Sequence, residues 1–288
     1  MKKILVTGLN SYIGISFKNW MNQYPNDFSV DSIDMKDGSW REVDFSVYDV
    51  VFHVAGIAHV SQNKKLKDLY YKVNRDLTIE TAKKAKSDGV KQFVFMSSII
   101  VYGNGVDKSG VISTDTIPQP KGFYGNSKLQ AEKGILPLSD ASYKVVVLRP
   151  PMVYGPGSKG NFPILVKIAK FSPLFPDIGN KRSILYIDNL CEFIRLIINQ
   201  NSEGVFYPQN SEYVSTSEIV KVIRLVNGRK TFMTKFFNPL IKFLFSEGKV
   251  NKIFGNLVYK QSMSEFAISD YRVKTFVESV EFTKESFL

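Results

Sequence analysis

The segment KKILVTGLNSYIGISF near the amino end narrows the possible folds more than any other stretch of the chain. Ile4 to Thr7 form a short apolar run typical of a buried strand, Gly8 permits a sharp turn, and from Tyr12 onward the apolar residues recur at helical spacing. A strand that turns through glycine into a helix leaves backbone N–H groups at the helix start, where they can hold a pyrophosphate. The turn formed by Gly8, Asn10, Ser11, Tyr12, Ile13 and Gly14 is therefore a candidate dinucleotide cradle. Its glycine pattern is incomplete. Ser11 stands where the middle glycine of a Gly-x-x-Gly-x-x-Gly spacing would be, and a side chain there leaves less room for close backbone approach.

The alternation continues, with strands expected near residues 3–7, 28–33, 50–54, 92–97 and 144–149 and helices between most of them. This pattern predicts an α/β fold of Rossmann type, a doubly wound parallel sheet with helices on both faces. The sheet domain should span residues 1–150, followed over 151–288 by a smaller C-terminal substrate lobe with some elements returning to the sheet. The 288 residues, 44% hydrophobic and 23% charged, suffice for a large core. The single cysteine, Cys191 in the apolar run NLCEFIRLII, excludes disulfides within the chain and multi-cysteine metal sites, and reads as a core thiol. His53 and His59 lack a clustered carboxylate set and read as structural, so no metal is expected.

No apolar run reaches the eighteen or so residues of a membrane span, and Met1 leads directly into the first strand, which predicts a cytoplasmic protein with no integral membrane segment. The formal charge of +11 raises nucleic acid or an anionic membrane as partners. The lysines read as scattered rather than set beside stacking aromatics, so nucleic acid is not expected, and a basic cleft equally suits a dinucleotide and a sugar diphosphate.

The strand-like FSVDSI ends at Asp34, whose carboxylate could bond a ribose diol and favour NAD, while Lys36 could pair with the 2′-phosphate of NADP. Further along, Tyr124 and Lys128 stand four apart in GFYGNSKLQAE, with Ser98 upstream in FVFMSSIIVYG. On a helix, residues i and i+4 share a face, so the ammonium can sit near the phenol and lower its pKa from about 10. A tyrosine so tuned can exchange a proton with a sugar hydroxyl, which points to hydride-transfer chemistry.

In these motifs nearly the whole chain resembles the extended short-chain dehydrogenase/reductase family, in the branch acting on nucleotide sugars. The resemblance implies a dinucleotide cofactor, with Val54, Ala55 and Gly56 of YDVVFHVAGIAHV near its pyrophosphate and ribose, Asn74 of YYKVNRDLT near the nicotinamide-side ribose, Asp44 and Phe45 near the adenine, and Pro151 also in contact. It implies that Asn161 of GNFPILVKIAK meets a UDP-sugar and that Arg182 of KRSILYIDNL holds its diphosphate, a task that suits the planar guanidinium fork. Tyr124 would be the acid/base, Lys128 would tune it and bond the nicotinamide ribose, and Ser98 would bond the same sugar oxygen, O4 of the hexose. By the same similarity Ser98 is preferred to Ser97, since the active serine lies four residues before the tyrosine of the VYG segment, here Tyr102.

Family 4,6-dehydratases carry an acidic pair after the active serine or threonine, where this chain has Ile99 and Ile100, which cannot move protons. That leaves a 4-ketoreductase or a 4-epimerase. The compact length and short carboxyl lobe resemble bacterial reductases that finish UDP-6-deoxy-N-acetylhexosamines for surface polysaccharide, so the reductase is preferred. A non-catalytic dinucleotide-binding role is disfavoured because all three catalytic positions are filled. The segment TFMTKFFNPLIKFLFSEGKVNKIFGNLVY interleaves phenylalanine with lysine and invites a membrane-surface reading, with a packed helix pair covering the sugar site preferred. By resemblance a homodimer is expected, paired through helices near 66–88 and 125–140.

Overall fold

The computed structural model describes residues 1–58, 64–236, 238–243, 253–266 and 269–284. The strands are β1 (Lys2–Thr7), β2 (Phe28–Ile33), β3 (Val50–His53), β4 (Gln92–Met96), β5 (Val111–Ile112), β6 (Lys144–Leu148), β7 (Met152–Tyr154), β8 (Leu174–Pro176), β9 (Ile184–Tyr186), β10 (Gly204–Phe206), β11 (Phe232–Thr234) and β12 (Val258–Tyr259). Six of them form one sheet in the order β10-β6-β4-β3-β1-β2, with every pairing parallel. The chain passes from β1 to β2 on one side and then to β3 on the other side of β1. This reversal is the switch point at which open α/β sheets leave a crevice beyond the strand carboxyl ends. The register is level there, since Thr7 pairs with both Ile33 and His53, and the three following turns open at one edge.

The helices are α1 (Tyr12–Met21), α2 (Lys67–Tyr71), α3 (Leu77–Ser87), α4 (Gly122–Ile135), α5 (Asn161–Phe171), α6 (Ile187–Asn199), α7 (Thr216–Val226) and α8 (Asn238–Phe243), with a last helix at Phe276–Phe282. Strand alternation sorts the core into two layers. Ile4, Val6 and Phe52 face Phe17 of α1 and Leu190 and Ile194 of α6. Leu5, Val51 and Phe93 face Ala82 and Ala85 of α3 and Ala131 of α4. Cys191, fully buried on α6, belongs to the first layer.

The five expected strands of the first half are present. Beyond Arg149 the lobe is held by pairs of very short strands, β7 with β9, β8 with β11 and β12 with β5, while β10 returns to the main sheet beside β6. The expected helix near 66–88 is α2 and α3 joined by a π-helical turn at Lys72–Asp76.

Candidate active site

The Gly8 turn is built for close approach. Gly8 has φ +103°, a conformation that favours glycine, and a Cβ there would lie 3.1 Å from the Ala55 nitrogen. A Cβ on Gly14 would meet Val6 Cγ1 at 2.9 Å and Val54 Cγ2 at 3.2 Å, so α1 lies directly on β1 and the loop after β3. Ser11 has an ordinary φ of −72° and caps α1, its hydroxyl accepting the Gly14 N–H at 3.4 Å. The missing middle glycine is thus replaced by a helix cap. The N–H groups of Tyr12 and Ile13 in the first turn have no intrahelical acceptor, and that turn carries no acidic residue to compete with an anion. These features fit a dinucleotide pyrophosphate. Asn10 is exposed beside them.

Tyr12 points its ring inward. Its hydroxyl is buried without a hydrogen-bond partner among the described residues, close to Gly155 beyond β7, and burial pushes its pKa up. Only its backbone faces the cradle. The Gly8 and Leu9 N–H groups both bond the Ile33 carbonyl, at 2.8 and 3.2 Å, which sets Asp34 beside the glycine turn. The Asp34 carboxylate accepts the Lys36 N–H at 3.2 Å, and Lys36 is exposed. Asp44 is exposed and accepts the Ser46 N–H at 2.8 Å. Phe45 buries its ring fully in the second core layer, and its N–H is taken by the Asp88 carboxylate at 3.1 Å.

The two serines after β4 diverge. Ser97 is buried and donates to the Glu132 carboxylate, whereas Ser98 caps the short turn Ile99–Val101, its hydroxyl accepting the Ile100 N–H at 3.3 Å. Tyr124 lies in the first turn of α4, edge-on to Tyr70 with ring centroids 6.0 Å apart. One turn later Lys128 is buried, donates to the Met96 carbonyl at 2.8 Å and lies 4.6 Å over the Phe95 ring. Asn74, on the π turn, clamps the loop after β3 by accepting the Ile57 N–H at 2.7 Å and donating to the Ile57 carbonyl at 3.0 Å. A Cβ on Gly56 would lie 3.0 Å from Asn74 Oδ1 and 3.3 Å from Lys128 Nζ. Gly56, Asn74 and Lys128 therefore converge, and the π turn, a feature frequent at functional sites, supplies one corner.

The expectation that Lys128 lowers the Tyr124 pKa is corrected by this geometry. Burial pushes the phenol up to about 12, Tyr70 adds to the rise, and the Ser98 hydroxyl opposes it. Burial also drives Lys128 down to about 8, against the opposing charge of Glu132. The ammonium is committed to the Met96 carbonyl, and desolvation dominates both groups.

Glu132 and Arg149 were not singled out by the sequence. Glu132 follows Lys128 by one helical turn, and its carboxylate meets the Arg149 guanidinium at 2.6 Å. Arg149 also donates to the Tyr102 hydroxyl at 2.9 Å, so a buried chain runs from Ser97 through Glu132 and Arg149 to Tyr102. The i+4 spacing of Glu132 was its only signal; nothing local marks Arg149 as its partner. His53 is structural in this setting: its Nδ1 pairs with Thr7 Oγ1 at 2.8 Å and its Nε2 with Thr78 Oγ1 at 3.1 Å. Burial, helped by Lys128, pulls its pKa down to about 3. His59 lies outside the described residues. Among the described residues no group of three or more His, Cys, Asp and Glu could hold a metal.

The lobe holds a pocket lined by Asn161 and Arg182 together with Met152, Ile164, Thr216 and Ile253. Asn161 opens α5 after Gly160, which has φ +93°. Arg182 donates to the Gly255 carbonyl at 3.1 Å, and burial lowers its pKa. The pocket connects to the catalytic turn through the chain itself. The Ile99 N–H bonds the Pro150 carbonyl at 2.9 Å, and buried Pro151 leads into Met152. Met152, Thr216 and Ile253 had no motif to announce them, because only the fold brings them together.

Known proteins resemble this chain in sequence and fold. A UDP-glucose 4-epimerase of Vibrio cholerae is 35% identical over 255 residues, covering 80% of this chain and 77% of that protein. An N-acetyl-alpha-D-glucosaminyl-diphospho-ditrans,octacis-undecaprenol 4-epimerase of Escherichia coli O157:H7 is 25% identical over 222 residues, covering 74% of this chain and 64% of that protein. The crystal structure of UDP-N-acetylglucosamine 4-epimerase from Bacillus cereus superposes over 100% of this chain and 99% of its own, with TM-score 0.80 and 16% identity, a likeness of fold. Residues 4–207 match the NAD dependent epimerase/dehydratase family, and with that match spanning most of the chain, the protein belongs to this family.

Proposed function

We propose that the protein is a UDP-sugar 4-epimerase that works with NAD in the cytoplasm. The observation that carries this reading is the convergence of buried Lys128 with Asn74 and Gly56, one helical turn after Tyr124 at the carboxyl edge of the sheet. The 35% identity to a UDP-glucose 4-epimerase favours epimerisation, against the preference for a reductase that the compact length and short carboxyl lobe suggested.

The dinucleotide would be held at its pyrophosphate by the Tyr12 and Ile13 N–H groups over Gly8 and Gly14, at the adenosine ribose by Asp34, and at the other ribose by Lys128 beside Asn74 and Gly56. When bound it supplies the hydride acceptor and donor. Asn161 and Arg182 would receive the nucleotide diphosphate. Tyr124 takes the proton of the C4 hydroxyl as the carbonyl forms and returns it as the carbonyl is reduced, and Ser98 holds the same oxygen in line. Burial raises the Tyr124 pKa, so the phenol must first shed its proton to solvent before it can take that of the C4 hydroxyl, and it is then the donor when the carbonyl is reduced. Lys36 leaves NADP as a weaker alternative, since Asp34 repels a 2′-phosphate. Pairing of two copies through α2, α3 and α4 completes the reading.

The second reading, reduction of a UDP-4-keto-6-deoxy-N-acetylhexosamine, is favoured by the slight lobe, whose described strands are two or three residues long. One paired assay separates them. Purified protein given UDP-glucose or UDP-N-acetylglucosamine should interconvert it with its C4 epimer without net cofactor use. Consumption of one equivalent of reduced cofactor per 4-keto sugar, with no interconversion, would establish the reductase instead.

A further inference from the structure

The formal charge is not spread evenly. Residues 155–187 and 226–260 together carry 12 Lys and Arg against two acidic residues, Asp177 and Glu247, and so hold nearly all of the net +11. These stretches are basic chiefly because they hold few acidic residues, their lysines and arginines being only slightly denser than in the whole chain.

The same lobe exposes large apolar side chains. Phe171, Phe232, Phe236 and Phe243 are each at least 71% exposed, and Leu174 is 48% exposed. They gather on one part of the lobe. Leu174 and Phe232 are register partners in the β8–β11 pair. Phe171 ends α5, whose last turn is tied to the strand approaching β11 by the bonds of Arg224 to the Ala169 and Lys230 carbonyls. Asn238, at the start of α8, donates to the Asp177 carbonyl beside β8 at 2.8 Å. Lys167, Arg229, Lys230 and Lys235 are exposed around this patch, and among the described residues none of them is in a salt bridge.

We propose that this face of the lobe docks on an anionic phospholipid surface, with the phenylalanines entering the headgroup boundary and the basic residues meeting the lipid phosphates. Exposed aromatics ringed by unpaired cations have the composition of an interfacial membrane site. Charge selects the occupant. A second copy set face to face on this patch would bring two strongly positive surfaces together, which an anionic bilayer does not. Among the described residues no helix is long and apolar enough to cross a membrane, so the contact is peripheral. Ile164, Lys167 and Phe171 recur at three and four residues and share one stripe of α5. Ile164 lines the pocket that holds Asn161 and Arg182, so the stripe runs from the pocket lip to the patch about 10 Å away. Docking would set that pocket next to the lipid surface, where it could receive a diphosphate sugar whose other end is a lipid.

The test is cosedimentation of the full chain with vesicles of neutral phosphatidylcholine and of phosphatidylcholine with 40% phosphatidylglycerol, at about 0.15 M salt where surface charge is screened within roughly 8 Å. The protein should pellet with the anionic vesicles only. The triple variant K167E/K230E/K235E should bind about a hundredfold more weakly, and F232S/F236S should also lose binding, while both keep the wild-type thermal melt and sugar turnover in solution. Wild-type protein remaining in the supernatant with anionic vesicles would overturn the proposal. So would undiminished vesicle binding by the folded charge variant, or a patch variant that changes the oligomeric state but not vesicle binding.

Discussion

The charged groups beneath the sheet edge and those at the lobe pocket are held differently. His53, Asn74, Lys128, Glu132 and Arg149 are each at most 7% exposed, and each meets a partner from another element. In the lobe Arg182 is held through one side-chain bond to the Gly255 carbonyl, and large aromatics face outward. The sheet half has already desolvated its charged groups and fixed their geometry. Arg182, at the lobe pocket, keeps donors beyond its bond to the Gly255 carbonyl. A site built this way should fail chemically when the sheet half is altered, and in recognition when the lobe is.

The largest expected effect tests that separation. Tyr124→Phe keeps the ring against Tyr70 and removes the proton, so turnover should fall by about 10²–10⁴-fold while the dinucleotide Kd stays within twofold of wild type. Stopped-flow turnover with calorimetric titration of the cofactor reads both. A parallel loss of cofactor affinity would mean that the catalytic and binding functions of α4 cannot be divided.

Next is Glu132→Ala, which strands the Arg149 guanidinium in the core. Breaking a buried pair from one side should cost about 3–5 kcal/mol in urea denaturation. Arg182→Met, in the lobe, should change stability by no more than about 1 kcal/mol and raise the substrate KM instead. Equal losses from the two would erase the contrast between the regions.

How much of this was visible in the sequence follows the same division. Gly8, Gly14, Tyr124 and Lys128 could be found because turn, strand and helix periodicities are local, and one helical turn puts Lys128 on the face of Tyr124 whatever the rest of the chain does, while its place over Phe95 is set by packing of α4 on β4. Arg149 could not be paired with Glu132 that way, since the contact spans seventeen residues across a strand boundary. The Asn161–Arg182 pocket took its other walls from Thr216 and Ile253, brought in by strand pairs too short to show a period. That the Phe45 ring belongs to the core is likewise set by its packing with Trp40 and α3, which the motif alone does not show.

A smaller effect is expected at Gly14. Alanine is the better helix former by about 1 kcal/mol, yet its Cβ would meet Val6 and Val54 at 2.9 and 3.2 Å, and Val6 is itself buried. Overpacking of this kind costs about 1–3 kcal/mol, so Gly14→Ala should be destabilising on balance and should weaken the dinucleotide cradle with it. An unchanged or raised melting temperature would show that α1 can move off the sheet, and that the cradle is softer than its packing implies.

The smallest effect is a pH dependence, and it asks whether the sheet half is closed to protons as well as to water. His53 titrates near 3 in the fold because burial disfavours its charged form, against about 6.5 in the unfolded chain. A depressed folded pKa means that the unfolded state binds the extra proton first. The stability it protects is complete above pH 6.5 and is lost as pH falls from 6.5 toward 3. At pH 5.5 the loss should be roughly 1.4 kcal/mol relative to pH 7.5. His53→Gln retains a donor and an acceptor for Thr7 and Thr78 but cannot titrate, so its stability should fall more slowly over this range than that of wild type. Denaturant melts of the two proteins between pH 5 and 7.5 measure the difference. Parallel acid limbs would mean that His53 gains its proton as readily in the fold as out of it, and that the polar cluster beneath Lys128 admits water.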